Sequence, residues 1–236
     1  MENLKLMLKL YDGVDCDNWI EKEIDDYCRK EDTKSIIDWQ DHKSFDVYKT
    51  KGYVYDNLFS YLYISKQMCE DVKTFLREQG YDLKKMSVFD YYNGNGLTTY
   101  NMMQDFGDVE FFNDVESQVN VFNKLLAEKG LQEKKSTSYN GQDIFMVLNF
   151  IEHYFRPKEF LKEIMDSAKD CEYLVISHGF NKSYWCGHYQ YYLIDDELVE
   201  NVKVWEILEK ELMKKYDMVA TGTEQKMKIF RKKKVI

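Results

Sequence analysis

Two short runs hold residues whose types and spacing could do chemistry. In residues 149–157 (NFIEHYFRP), Glu152 and His153 stand side by side just after an apolar run. The histidine could take a proton from a hydroxyl or an amine, with the carboxylate orienting its ring. Two other readings stay open: the pair could bind a divalent metal together with His188, or it could only brace a turn. The second run, residues 87–101 (SVFDYYNGNGLTTYN), passes from apolar residues through Asp90 into an Asn/Gly loop. Gly94 and Gly96 permit backbone conformations and close approaches that a Cβ would block. Asp90 could accept a hydrogen bond from a bound cofactor. Farther on, Asp114 offers two acceptor oxygens in one plane, which suits a pair of ribose hydroxyls.

These groups need elements to position them. Apolar runs at 86–92, 109–114, 143–150 and 173–178 read as strands, and amphipathic stretches at 116–130 and 157–168 read as helices between them. Pro157 suits the first turn of its helix. Residues 195–217 place Leu198, Val202, Trp205, Leu208, Leu212 and Tyr216 at spacings of three and four, which predicts one long helix. Two closing strands, 216–222 and 225–231, are joined by a turn at Gly222. Strand–helix alternation implies a mostly parallel sheet covered on both faces. In such a sheet, ligands bind beyond the carboxyl ends of the strands. The Asn/Gly loop, Asp114 and the Glu152–His153 pair all fall at such ends. The first 80 residues read as mainly helical. They form an N-terminal extension that helps cover the substrate, followed by an α/β domain over 81–236.

Composition narrows the setting. Hydrophobic residues make up 44% and aromatic residues 16% of the 236, enough for a large core. A net charge of −9 argues against broad binding to nucleic acid or anionic membranes, which reward cationic surfaces. No apolar run approaches the roughly 20 residues that span a bilayer. The N-terminal residues lack the pattern of a secretory signal. Five cysteines without a C-x-x-C pairing fit a reduced, cytoplasmic chain.

On these residues, the run from about 86 to 231 resembles the class I S-adenosylmethionine-dependent methyltransferases. Residues 90–96 (DYYNGNG) align with that family's D-x-G-x-G-x-G loop, Asp114 with its ribose-binding acid, and residues 143–164 with its fourth strand and following helix. The resemblance implies a Rossmann-like, seven-stranded sheet closed by an antiparallel hairpin. It also implies that Asp90, Asn93, Gly94, Gly96 and Asp114 hold S-adenosylmethionine. Tyr92 departs from the pattern, because it replaces the first glycine of the loop. Some members carry an E-x-x-E-H metal motif at the position of Glu152 and His153. Here its first glutamate is Asn149, a weaker ligand for a hard metal, so a divalent metal is not expected.

The resemblance points to a small-molecule acceptor reacting at oxygen or nitrogen. Residues 149–152 lack the proline pair of the amino-methylating DNA enzymes. The aromatic insertion 180–194 could lie over a flat substrate. Two alternatives remain: a non-catalytic relative with its pocket filled by Tyr92, and the same fold used for another ligand such as a nicotinamide.

Overall fold

A computed structural model describes residues 2–20, 22, 23, 26, 65–132, 134–136, 139, 141–180, 189–223 and 226–233. Most of the N-terminal extension and His188 lie outside these residues.

The central sheet has the strand order β2-β1-β3-β4-β8-β7. Its parallel members are β1 (Ser87–Tyr91), β2 (Asp108–Phe112), β3 (Ile144–Val147) and β4 (Tyr173–Ser177). β7 (Tyr216–Thr221) and β8 (Met227–Lys232) form the closing hairpin, and β8 runs antiparallel to β4. The fold class expected from the sequence is therefore present. The expected seventh strand is reduced, among the described residues, to a single parallel bridge between Phe111 and Lys135. The segment that would supply it is short and polar, with few side chains to bury against a sheet.

Residues alternate along each strand and so feed two apolar layers. Phe89, Phe145 and Leu174 face α5 (Pro157–Ser167) and α6 (Asn201–Lys215), packing against Phe160, Ile164 and Leu208. Val88, Ile144 and Val175 face the other way, onto Met68, Val72 and Leu76 of α2 (Lys66–Glu78) and Met102 of α3 (Leu97–Asp105). α1 (Glu2–Asp12) inserts Met7 and Leu8 against Phe122 and Leu125 of α4 (Glu116–Glu128). At the N-terminal ends of β1 and β3, the Asp143 carboxylate accepts from the Ser87 backbone N–H (2.7 Å) and hydroxyl (2.8 Å). The Asp143 backbone N–H donates back to the Ser87 hydroxyl at 3.0 Å.

The long helix expected over 195–217 begins later than its apolar spacing implied. Residues Glu197–Glu200 form β6, paired antiparallel with β5 (Tyr191–Ile194). Asp195 and Asp196 make the connecting turn with φ of 50° and 65°. Two consecutive residues at positive φ match the twist of a hairpin, and aspartate tolerates that conformation better than most residues. Leu198 thus lies on a strand and is 66% exposed, whereas Leu208 and Leu212 are buried in α6.

Candidate functional site

β1 delivers Asp90 to the top of the sheet, where it is buried. Burial pushes its carboxyl up to about 7, against the pull of the Thr99 hydroxyl that donates to it at 2.8 Å. Thr99, on α3, also accepts from the Asn93 side-chain amide at 2.9 Å. The oxygen of that amide accepts from Asn113 at 3.0 Å, and Asn113 donates as well to the Gly94 carbonyl and to Gln118. The Asn/Gly loop is therefore braced by a buried chain of polar side chains running from β1 to β2. Thr99, Asn113 and Gln118 were not singled out in the sequence, since an isolated polar residue beside a loop gives no periodic signal.

The two loop glycines have backbone reasons to be there. Gly94 and Gly96 adopt φ of 54° and 83°. A Cβ on Gly96 would sit 2.2 Å from ring carbons of Phe122. Gly96 caps α3, and the Leu97 backbone N–H donates to the Asn95 side chain at 3.0 Å. The other side-chain atom of Asn95, Nδ2, is buried and has no partner among the described residues. These backbone and amide donors at a helix start suit a carboxylate or another polar ligand group. Asp114 stands exposed just past β2.

Tyr92 occupies the position of the missing glycine and keeps a glycine's backbone, with φ 58°. That conformation costs a non-glycine residue roughly 1–2 kcal/mol. Its ring offsets this by stacking on Phe150 at 3.9 Å and meeting Phe112 edge-on at 5.1 Å. Its hydroxyl shares hydrogen bonds with those of Tyr91 and Tyr154. Burial raises the pKa of all three phenols, and the Asp114 charge adds to the shift. Tyr154 in turn stacks on Phe160 at 3.7 Å. The tyrosine thus ties the end of β1 to the segment after β3.

Two residues past β3 stands Asn149, the second non-glycine residue of this region at positive φ (50°). Its backbone N–H donates to the Ser177 hydroxyl at 2.8 Å, and that hydroxyl donates back to the Asn149 side chain at 2.9 Å. The turn that follows brings up Glu152 and His153 in a short 3-10 helix, Ile151–His153. Glu152 is buried, and burial pushes its carboxyl up to about 8 although its own backbone N–H and that of Gly179 donate to it. The Tyr192 hydroxyl donates to the Glu152 backbone carbonyl at 2.7 Å. His153 is half-buried and lies 6.1 Å from the Phe150 ring. Asp90, Asn93 and the glycines are thus brought together by the loop network. Glu152 and His153 sit one strand away, joined to that network through Phe150 and Tyr92.

His188, the third residue of the metal alternative, falls outside the described residues. Among those residues there is no group of three His, Cys, Asp or Glu side chains placed to hold a metal. His178 ends β4 and stacks on Trp205 of α6 at 4.1 Å. Burial, together with the charges of Lys226 and Lys228, holds its imidazole down to about 3, so it is neutral.

No family model matches the sequence, and no curated protein matches it. Solved structures do match in shape. A magnesium protoporphyrin IX methyltransferase (ChlM) from Synechocystis PCC 6803, crystallised with bound S-adenosylmethionine, aligns over 86% of this chain and 97% of its own, with a TM-score of 0.53 and 17% identity. The PH0226 protein from Pyrococcus horikoshii OT3 aligns over 76% of this chain and 98% of its own, with a TM-score of 0.52 and 13% identity. The bifunctional kinase-methyltransferase WbdD aligns over 73% of this chain, with a TM-score of 0.51 and 11% identity, and this chain spans only 40% of its length. Among the described residues, no helix is long and apolar enough to cross a membrane. With its parallel strands, closing antiparallel hairpin and loop beyond β1, the chain has the fold of the class I S-adenosylmethionine-dependent methyltransferases.

Proposed function

We propose that the protein transfers a methyl group from S-adenosylmethionine to an oxygen or nitrogen of a small molecule. The observation that carries this reading is the braced loop beyond β1. Asp90, Asn93 and Asn113 fix a turn whose residues at 92, 94 and 96 all have positive φ, with the exposed acid Asp114 beside it. Asp114 would hold the ribose, and Gly94, Gly96 and the Asn95 amide would hold the polar end of the cofactor. The bound sulfonium supplies an electrophilic methyl carbon, so the chain's own work is chiefly alignment and removal of a proton.

In this reading His153, half-buried on the acceptor side, takes the proton. Glu152, fixed by backbone donors of its own turn and of the segment after β4, positions it. N-terminal residues would contribute to the cover over the acceptor. The net charge of −9 favours a small molecule over a nucleic acid.

Calorimetric titration with S-adenosylhomocysteine tests the cofactor assignment. Asp114→Ala is expected to weaken binding at least about tenfold, as loss of hydrogen bonds from a charged acceptor does. Unchanged affinity in that variant would reject the assignment.

The stacking of Tyr92 on Phe150 favours a second reading, in which the ring closes the pocket and the fold serves as a non-catalytic binding module. Here the wild type does not bind S-adenosylhomocysteine, whereas Tyr92→Gly, which suits the backbone already present, does. Tight binding to the wild type rejects this alternative.

A further inference from the structure

At the end of β4, six side chains close a ring of contacts. His178 stacks on Trp205 at 4.1 Å, and Trp205 lies one helical turn from Asn201 on the same face of α6. The Asn201 amide donates to the Tyr189 carbonyl at 2.9 Å, and the Tyr189 ring lies 5.5 Å from Tyr192. Tyr192 meets Phe180 edge-on at 5.1 Å, and Phe180 returns to His178 at 5.6 Å. Below the ring, the Tyr192 hydroxyl is anchored on Glu152.

Among the described residues, three polar atoms of this ring have no partner: His178 Nδ1, Trp205 Nε1 and Asn201 Oδ1. Their residues are only 7%, 9% and 2% exposed. A buried polar group left unpaired costs about 1–3 kcal/mol, and native proteins seldom carry three in one patch. The indole can only donate and the amide oxygen can only accept, while the neutral imidazole can do either through its tautomers. A hydroxyl answers both requirements, since its oxygen accepts from the indole N–H while its hydrogen goes to the imidazole or the amide oxygen. A carboxylate is disfavoured here because it cannot donate to the Asn201 amide oxygen, and a cation because the charges of Lys226 and Lys228 already act on His178. The remaining walls, Phe180, Tyr189 and Tyr192, suit a flat ring.

We propose that this ring of six side chains is a binding site for an uncharged aromatic hydroxyl. As a statement about the methyl acceptor it rests on the reading above; as a statement about binding it stands alone.

The test follows the indole N–H signals of the full chain by two-dimensional NMR. The sequence has four tryptophans, and the Trp205 signal is assigned by its loss in Trp205→Phe. Phenol is expected to shift that signal saturably and leave the other indoles in place. Anisole, which lacks the O–H, and benzoate, which is charged, should bind at least about tenfold more weakly, as expected when a site built for a hydroxyl meets an analogue without one. His178→Phe should lower phenol affinity by a similar factor, about tenfold.

Equal binding of phenol and anisole, an unmoved Trp205 signal, or a common drift of all indoles would each overturn the proposal. The two readings fail separately. Phenol binding without S-adenosylhomocysteine binding removes the cofactor assignment alone, and the converse removes the hydroxyl site alone.

Discussion

The two ends of the site are built on opposite plans. Beyond β1 and β2, polar side chains satisfy one another, the Asn95 amide nitrogen excepted. Asp90 takes the Thr99 hydroxyl, Asn93 links Thr99 to Asn113, and Asn113 closes onto the loop backbone and Gln118. Beyond β4, aromatic side chains dominate, and His178, Trp205 and Asn201 each leave a polar atom unanswered. A satisfied buried network rigidifies and specifies one geometry, while unsatisfied groups make a region depend on what is bound there. The first end holds one geometry by itself. The second gains most from a ligand that completes it.

The sharpest way to break the contrast is to disturb the braced end. Gly96→Ala places a methyl 2.2 Å from the Phe122 ring on a backbone at φ 83°. Left-handed strain and overpacking together predict a loss of about 2–5 kcal/mol, read from chemical denaturation. A loss near zero would mean that the loop is not held against α4 as described.

The pH dependence of stability separates the two ends next. Asp90 and Glu152 have native values of about 7 and about 8, above their ordinary 3.8 and 4.5. The native state therefore holds protons that the unfolded chain has released. The stability from these two groups is full in acid and is lost as pH rises through about 7 and 8. Asp90→Asn should flatten that fall by an amount on the order of 2–4 kcal/mol between acid and mildly alkaline solution. An unchanged slope would show that Asp90 is not the buried acid.

His178 acts in the opposite sense and more weakly at neutral pH. Its native value of about 3 lies below the ordinary 6.5, so its contribution is full above 6.5 and is lost as pH falls toward about 3. His178→Phe should improve acid tolerance relative to the wild type when unfolding midpoints are compared at pH 7 and in acid.

Much of this was legible before the structure. The strand–helix alternation, Pro157 at its helix start and the closing hairpin follow from apolar periodicity and turn residues alone. The loop could be placed because the strand before it, the helix after it and the distal acid agree with the two glycines, which alone would mark only a turn. The hairpin at 191–200 was hidden, because Leu198 and Val202 continue a helical spacing that the Asp195–Asp196 turn interrupts. Local turn chemistry prevailed there over periodicity. The polar bracing by Thr99 and Asn113 was equally hidden, because it joins residues far apart in the chain. The ring around His178 needs contacts among β4, β5 and α6 that no spacing encodes.

The clasp between Asp143 and Ser87 lies at the bottom of the sheet, far from any ligand, yet it governs the top. β1 buries Val88, Phe89 and Asp90 in succession, and β3 buries all four of its residues. A strand that is apolar on both sides reads almost the same when slid by one step, so hydrophobicity alone is a poor ruler of its height. One step is about 3.3 Å, nearly the 3.9 Å that separates the rings of Tyr92 and Phe150. The reciprocal bonds of Asp143 and Ser87 act as the zero mark from which both strands are measured. The level at which an aromatic ring meets its neighbour above the sheet is thus set by one carboxylate and one hydroxyl beneath it.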